Sequence, residues 1–313
     1  MNKLVPLILL IMSITSCSDL NDERVMQSFH LNKEPLQIVT KTLTSQSPNL
    51  IQEFTAGSVI GLYVVSENTG DIYNGNTHYK NIRAEAWQEN RKLNWEQERP
   101  VFLDSEPAIV YAYSPYQNTA SFDPENIPVK VSSDATQSID YMYGSQTKGQ
   151  KAINKISPVA LLDMNHALSL LSFQIHLTPE TKGCYLLSSI QVGNKAGGTT
   201  LFYRGFLNIK TGEIKRDAGN NASTRLELGE LQMLTPVLSD PLQIKVMPTP
   251  QEISKGDVEV LFRINNETFT FKVPSHTLWK KGEKYQYSLS FNGKKLKLEN
   301  TSISEWAPMK KKV

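Results

Sequence analysis

Apolar residues in this chain recur in short runs of period-two alternation, with no sustained helical spacing. Leu36-Gln37-Ile38-Val39-Thr40-Lys41-Thr42-Leu43-Thr44 is rich in β-branched residues and predicts a first strand, broken by the polar stretch Ser45 to Asn49 with its Pro48. Further strands are expected at Val59 to Val65, Val101 to Leu103, Ile109 to Tyr113 and Ile127 to Val131. A later series is expected at Ala167 to Leu177, Tyr185 to Val192, Thr200 to Ile209, Leu226 to Leu228, Leu242 to Val246, Val258 to Ile264, Phe269 to Val273 and Tyr285 to Phe291. Asn265-Asn266 and Asn292-Gly293 are hairpin-turn signals. No segment supports an amphipathic helix longer than about three turns. The pattern predicts an all-β fold: two β-sandwich domains in tandem, of transthyretin-like or Greek-key type. Gln146 to Asn154 is nearly devoid of apolar residues, which places an expected boundary there, with an N-terminal domain over 35–150 and a C-terminal domain over 151–313.

The first residues follow a different logic. Lys3 precedes an apolar stretch from Leu4 to Ile14, and Thr15-Ser16 lead into Cys17. A basic start, a short apolar segment and small residues before a cysteine form the pattern of a lipoprotein signal, so residues 1–16 are expected to be removed and Cys17 to carry lipid. The apolar stretch falls short of the roughly 20 residues that span a bilayer, so attachment would run through acyl chains. An ordinary secretory signal with a coincidental cysteine is the alternative. Residues 17–34 are polar and read as a tether between lipid and folded body.

A formal net charge of +2 indicates neither nucleic acid nor an acidic membrane surface as a partner. Lys310-Lys311-Lys312 reads as a solvated chain end. With Cys17 used for lipid, Cys184 has no partner; a buried, inert thiol is expected there, and the fold needs no disulfide. His166 precedes an apolar strand and reads as a structural residue, since no second His, Cys or acidic cluster stands at ligand spacing. No metal or cofactor site is indicated. Asp and Glu are scattered, without the paired arrangement a glycosidase needs, and no nucleophile or phosphate-binding motif occurs, so no catalytic residue is assigned.

Several local patterns then coincide. Phe54-Thr55-Ala56-Gly57-Ser58-Val59-Ile60-Gly61-Leu62-Tyr63-Val64, Tyr79-Lys80-Asn81-Ile82 and Ile109-Val110-Tyr111-Ala112-Tyr113-Ser114-Pro115-Tyr116 are followed by Asp140-Tyr141-Met142-Tyr143-Gly144 and His166-Ala167-Leu168-Ser169. Gly282-Glu283-Lys284-Tyr285-Gln286-Tyr287 and Ile303-Ser304-Glu305-Trp306 complete the series. In order and spacing the chain resembles the fimbrillin-like lipoproteins of Bacteroidales from about Phe54 to Trp306. Read as residues alone, Gly57 and Gly61 mark a turn or close backbone approach. Tyr111, Tyr113 and Tyr116 are core or interface aromatics, with a sugar-stacking platform as the other reading.

The resemblance implies a structural or adhesive subunit of a cell-surface pilus, exported as a lipoprotein to the outer membrane and joined to other pilin subunits by strand exchange. A host protein or a glycan stands open as a further partner. In the family's stalk subunits a protease cuts after an arginine in the loop behind the first strand. Here no arginine lies between Arg24 and Arg83, which puts arginine-specific activation in doubt and leaves tip, anchor or accessory roles open. Lys41 is the basic residue available to another protease. Near the other end, Leu296 and Leu298 alternate with Lys295, Lys297 and Glu299, and Ile303 and Trp306 continue the apolar series. These four residues are candidate anchors, either of a strand donated to a neighbour or of an edge strand in the chain's own domain. A surface carbohydrate-binding lipoprotein is the alternative function, with Trp87, Trp95 and Trp279 as stacking candidates.

Overall fold

The computed structural model describes residues 33–42, 54–90, 92–119, 122–217, 223–254 and 256–306. The signal, Cys17, most of the tether, the loop over 43–53 and the lysine tail lie outside the described residues.

Strands dominate. In chain order they are β1 (Glu34–Pro35), β2 (Gln37–Thr42), β3 (Val59–Ser66), β4 (Ile82–Glu89), β5 (Lys92–Gln97), β6 (Phe102–Leu103), β7 (Ala108–Ser114), β8 (Ile127–Lys130), β9 (Met142–Gln146) and β10 (Val159–His166). There follow β11 (Ser169–Leu177), β12 (Leu186–Asn194), β13 (Arg204–Leu207), β14 (Ile214–Arg216), β15 (Ser223–Met233), β16 (Leu242–Val246), β17 (Val258–Ile264), β18 (Glu267–Lys272), β19 (Glu283–Phe291) and β20 (Leu296–Glu305). Among the described residues the only helical elements are single 3₁₀ turns.

The first half builds one seven-stranded sheet in the order β2-β10-β9-β7-β3-β4-β5. Its end strands come back together: Trp95 Nε1 on β5 donates to Thr40 Oγ1 on β2 at 3.2 Å, and Gln97 Nε2 donates to the Leu36 carbonyl at 2.6 Å. Curling lets the two halves of one sheet face each other across a shared core of Ile60, Leu62, Val64, Ala84, Val110, Ala112, Ala160 and Leu162. Alternation explains the choice of face. Ile60, Leu62 and Val64 point into this core, whereas Tyr63 and Val65 point to the opposite side and join a second cluster. Gly61 is required by packing: a Cβ there would lie 2.1 Å from the Tyr113 ring.

The second half is a face-to-face sandwich of two four-stranded sheets, β16-β11-β19-β20 and β15-β12-β17-β18. Its core is aromatic, with Phe173 stacked on Tyr287 at 5.5 Å and edge-on to Phe262 at 5.7 Å. Asn265 and Asn266 both take positive φ and close the β17–β18 hairpin as their sequence predicts.

Three strands tie the halves together: β8 from the first pairs with β13, which pairs with β14. Between this small sheet and the outer face of the large one lies a third cluster that includes Tyr63, Tyr113, Ile127, Val129, Phe202, Leu207, Leu168, Met247 and Trp306.

Several expectations meet a different arrangement. The polar segment near residue 150 is the loop of the β9–β10 hairpin, because β10 beyond it pairs with both β9 and β2 in the first sheet. The chain changes sheets between His166 and Ser169, so the run expected as one strand from Ala167 to Leu177 starts its pairing only at Ser169. Cys184, expected buried, is exposed. Its carbonyl accepts from Asn265 Nδ2 at 2.8 Å, which fixes the backbone just before β12 while the side chain stays outside the core.

Candidate assembly surfaces

The first strand is bound along one ladder only. β2 runs parallel to β10, with Ile38 beside Ala160 and Thr40 beside Leu162. Leu36 and Ile38 plug the first core, and both are buried. The strand's other side makes no ladder and is held by single bonds: Trp95 and Gln97 of β5 reach Thr40 Oγ1 and the Leu36 carbonyl, and Leu36 N donates to the Val101 carbonyl at 2.8 Å, while Gln37 N donates to the Pro158 carbonyl at 2.8 Å. Removing this strand would leave one side of β10 unpaired and open an apolar slot between β10 and β5, a shape that an alternating apolar strand fits.

The C-terminal strand is an edge as well. β20 pairs antiparallel with β19, Leu296 opposite Phe291 and Leu298 opposite Leu289, with a register shift between Ser288 and Leu289. Leu296 and Leu298 are half-buried against the sandwich core, and Ile303, opposite Tyr285, is 60% exposed. Every residue from Glu299 to Glu305 is exposed. The strand's far end is different. Trp306 is 2% exposed and its ring lies flat on that of His166 with centroids 4.1 Å apart; its backbone N–H donates to the Gly282 carbonyl at 2.6 Å, while the indole Nε1 is buried without a partner among the described residues. Of the four candidate anchors, Leu296, Leu298 and Trp306 thus pack within the chain's own fold, and Ile303 alone is presented to solvent.

Beneath Trp306 sits a buried polar group. His166 Nδ1 lies 3.0 Å from Asp140 Oδ1, and Lys245 Nζ donates to the Ser138 carbonyl at 2.8 Å. Burial pushes the Lys245 ammonium below its ordinary range, and the Asp140 charge partly offsets this. His166 is held through Nδ1, and its Nε2 is buried without a partner among the described residues. Nothing in the sequence marked its link to Trp306.

The aromatic candidates separate by burial. Trp95 packs edge-on against Phe54 at 5.2 Å, and Trp279 is fully buried with Nε1 donating to Tyr287 Oη at 2.9 Å. Trp87 is 43% exposed. Tyr113 is buried, with its hydroxyl donating to Asn81 Oδ1 at 2.6 Å, and burial pushes its pKa up to about 12. Tyr111 and Tyr116 pack partly buried against the third cluster. The three tryptophans therefore form no shared stacking surface, and the three tyrosines are packing residues. No group of three or more His, Cys, Asp or Glu able to hold a metal ion occurs among the described residues. No described helix is long and apolar enough to cross a membrane.

The fold has counterparts among solved structures. A candidate cell adhesion protein from Bacteroides uniformis superposes with a TM-score of 0.62 at 17% identity, over 88% of this chain and 98% of that one. A second, from Bacteroides ovatus, gives 0.61 at 19% identity over the same shares. A fimbrial protein from Bacteroides vulgatus gives 0.50 at 13%, over 88% of this chain and the whole of the other. At such identities the likeness is one of fold. A search of curated proteins finds no match. The model of one family, described as fimbrillin-like, matches residues 40–306, and the chain belongs to that family.

Proposed function

We propose that this chain is a structural or adhesive subunit of a cell-surface pilus, exported as a lipoprotein through Cys17 and joined to neighbouring subunits by strand exchange. The observation that carries the reading is the seating of β2: an edge strand, held by a single ladder, whose Leu36 and Ile38 fill the first core. Strand exchange needs such a place, where one extended segment can leave and another of like pattern can take over its main-chain pairing and apolar pockets. Membership of the fimbrillin-like family supports the same reading. The loop behind the first strand, in which a stalk-type cut would fall, has no arginine, which favours a subunit that keeps its first strand, at the tip or base or as an accessory component.

The test is immunogold electron microscopy of cells carrying an epitope-tagged full chain. Label on filaments is expected, at their tips or bases if β2 is retained and along their length if it is exchanged. Uniform label over the cell surface with no filament association would overturn the pilus role.

A further inference from the structure

A cavity of about 380 Å³ opens near the junction of the two halves. The turn between β13 and β14 brings Gly212, Glu213 and Ile214 to its lining, and residues from the stretches 248–250 and 278–283 supply the rest. Small-ligand sites are of this size and favour such junctions. The walls are fixed by their own hydrogen bonds. Thr249 N donates to the Trp279 carbonyl at 2.9 Å, Trp279 N to Thr249 Oγ1 at 3.1 Å, Lys280 N to Tyr285 Oη at 2.9 Å and Gly212 N to the Asn208 carbonyl at 2.7 Å. A pocket shaped before its ligand arrives spares the ordering cost of binding.

Four charged side chains line the cavity, two of each sign, and they compensate one another in place. Lys281 Nζ donates to Glu213 Oε1 at 2.7 Å, and Lys280 Nζ stands 4.0 Å from Glu283 Oε1. A charged ligand would give up its hydration here without gaining an uncompensated partner. Hydrogen bonding is what remains on offer. Glu213 Oε2 has no partner among the described residues, and Glu283 spends only Oε2, on the Tyr285 hydroxyl. The 4.0 Å between Lys280 Nζ and Glu283 Oε1 is too long for a hydrogen bond, yet a single hydroxyl oxygen spans it, because a hydroxyl accepts and donates at once. No single atom of a peptide amide does both. Pro248, Pro250, Ile214 and Leu278 supply the apolar part of the lining. Trp279 is fully buried and offers no stacking face.

We propose that this cavity binds a neutral sugar at the end of a glycan chain, a reading that rests on the adhesive role given above and names its ligand class. Glu213 and Glu283 accept from the sugar hydroxyls, Lys280 donates to one of them, and the ring's C–H face lies on the proline and aliphatic lining. Balanced charge excludes sialylated and sulfated chain ends. Recognition sits away from the tryptophans, which explains how an adhesive subunit of this kind dispenses with a stacking platform.

The test screens the full-length chain, purified in mild detergent, on an array of neutral, sialylated and sulfated glycans, then titrates the best-bound neutral glycan against the parent and the variants Glu213→Gln, Glu283→Gln and Lys280→Ala. Neutral glycans are expected to bind, and each substitution is expected to raise Kd roughly tenfold or more, since each removes a hydrogen bond to a charged group. Lys280→Ala should do so with an unchanged melting temperature, because its side chain is 60% exposed, so its result stands even if Glu283→Gln weakens the fold through Tyr285. Trp87→Ala should bind as the parent does. No bound glycan, binding confined to acidic glycans, an unchanged Kd for Lys280→Ala and Glu213→Gln, or a loss on Trp87→Ala alone would overturn the proposal. Capture of a glycopeptide that persists after its glycan is removed would overturn it in favour of a peptide. Binding is read on the isolated chain, so its failure leaves the filament location to the immunogold result, and a chain absent from filaments would leave a measured glycan affinity standing.

Discussion

Replacing Trp306 by alanine is expected to destabilise the isolated chain, because its indole closes the cluster between the two halves and does not project from the surface. Trp306 is buried and stacked on His166, itself buried. Truncating a core aromatic to alanine costs ~3–5 kcal/mol. Here the residue ends an edge strand whose neighbouring positions are solvated, so water can enter the vacated space and the loss should fall near the lower end, about 3 kcal/mol. At roughly 2–4 °C per kcal/mol for a body of 150–250 residues, the melting temperature should drop by about 6–12 °C. The loss should also be local: amide exchange from Asn300 to Glu305 should accelerate more than in β19, since Trp306 fastens the far end of a strand otherwise exposed from Glu299 onward. Trp306→Phe, which keeps a ring on His166, should recover much of the difference. Scanning calorimetry and hydrogen exchange on the full chain measure both effects. A shift under about 2 °C with unchanged exchange would refute this reasoning and return Trp306 to the role of an anchor meant for a neighbour's groove.

Gly61→Ala should cost ~1–3 kcal/mol by overpacking against the Tyr113 ring, which is buried and tied to Asn81, and a urea midpoint unchanged from the parent would contradict it. Tyr113 and Tyr287, with pKa values pushed up by burial to about 12, stay neutral when folded, while the unfolded chain ionises near 10. Stability is thus fully present below pH 10 and should fall between pH 10 and pH 12 by roughly 2–3 kcal/mol per ring, read as a co-operative rise in tyrosinate absorbance; gradual ionisation without unfolding would count against it. We further expect a proteolytic nick within 147–157 to leave both pieces associated on a native gel, since β10 stays paired with β2 and β9; separation would restore a domain boundary near residue 150. Cys17→Ala should abolish palmitate labelling and leave uncut precursor, and persistent labelling would sink the lipid anchor.

Strands were legible where β-branched and aromatic residues made the alternation strong. Leu242–Val246 and Val258–Ile264 fall at the bounds their sequences predict. The unread strands are those with helix-prone or polar composition: Ile82–Glu89 has Ala, Glu and Gln at most positions, and Lys92–Gln97 mixes Lys, Asn and Glu. Val159–His166 was missed for another reason. Its Leu, Asp, Met and Asn give no β signal, and the polar hairpin before it imitates an interdomain linker. Neighbouring strands, not local propensity, decide such segments. From the sequence β2 is legible only as a strand; that it is parallel to β10 and has a ladder on that side alone depends on pairing distant in sequence. The same holds for Trp306, whose apolar character was plain and whose seat on His166 was not.

The junction between the halves bears on what kind of filament element this chain can be. The chain crosses from the first sheet to the second through Ala167 and Leu168, both fully buried, so the crossing is part of a core. Lys281 Nζ, just before β19, donates to the Thr211 carbonyl and to Glu213 Oε1 at 2.7 Å each, and lies 5.6 Å over the Tyr143 ring of the first sheet. Gly212 is pressed so closely on that ring that no Cβ fits. Ser169 Oγ donates to the Lys280 carbonyl at 2.8 Å, and Gly282 N to the Leu168 carbonyl at 2.9 Å. A hinge needs few buried contacts and a solvated linker, and this junction has the opposite. Load entering at β2 would pass along β10 into β11 through buried backbone, and a subunit joined at both ends would transmit it as a stiff segment.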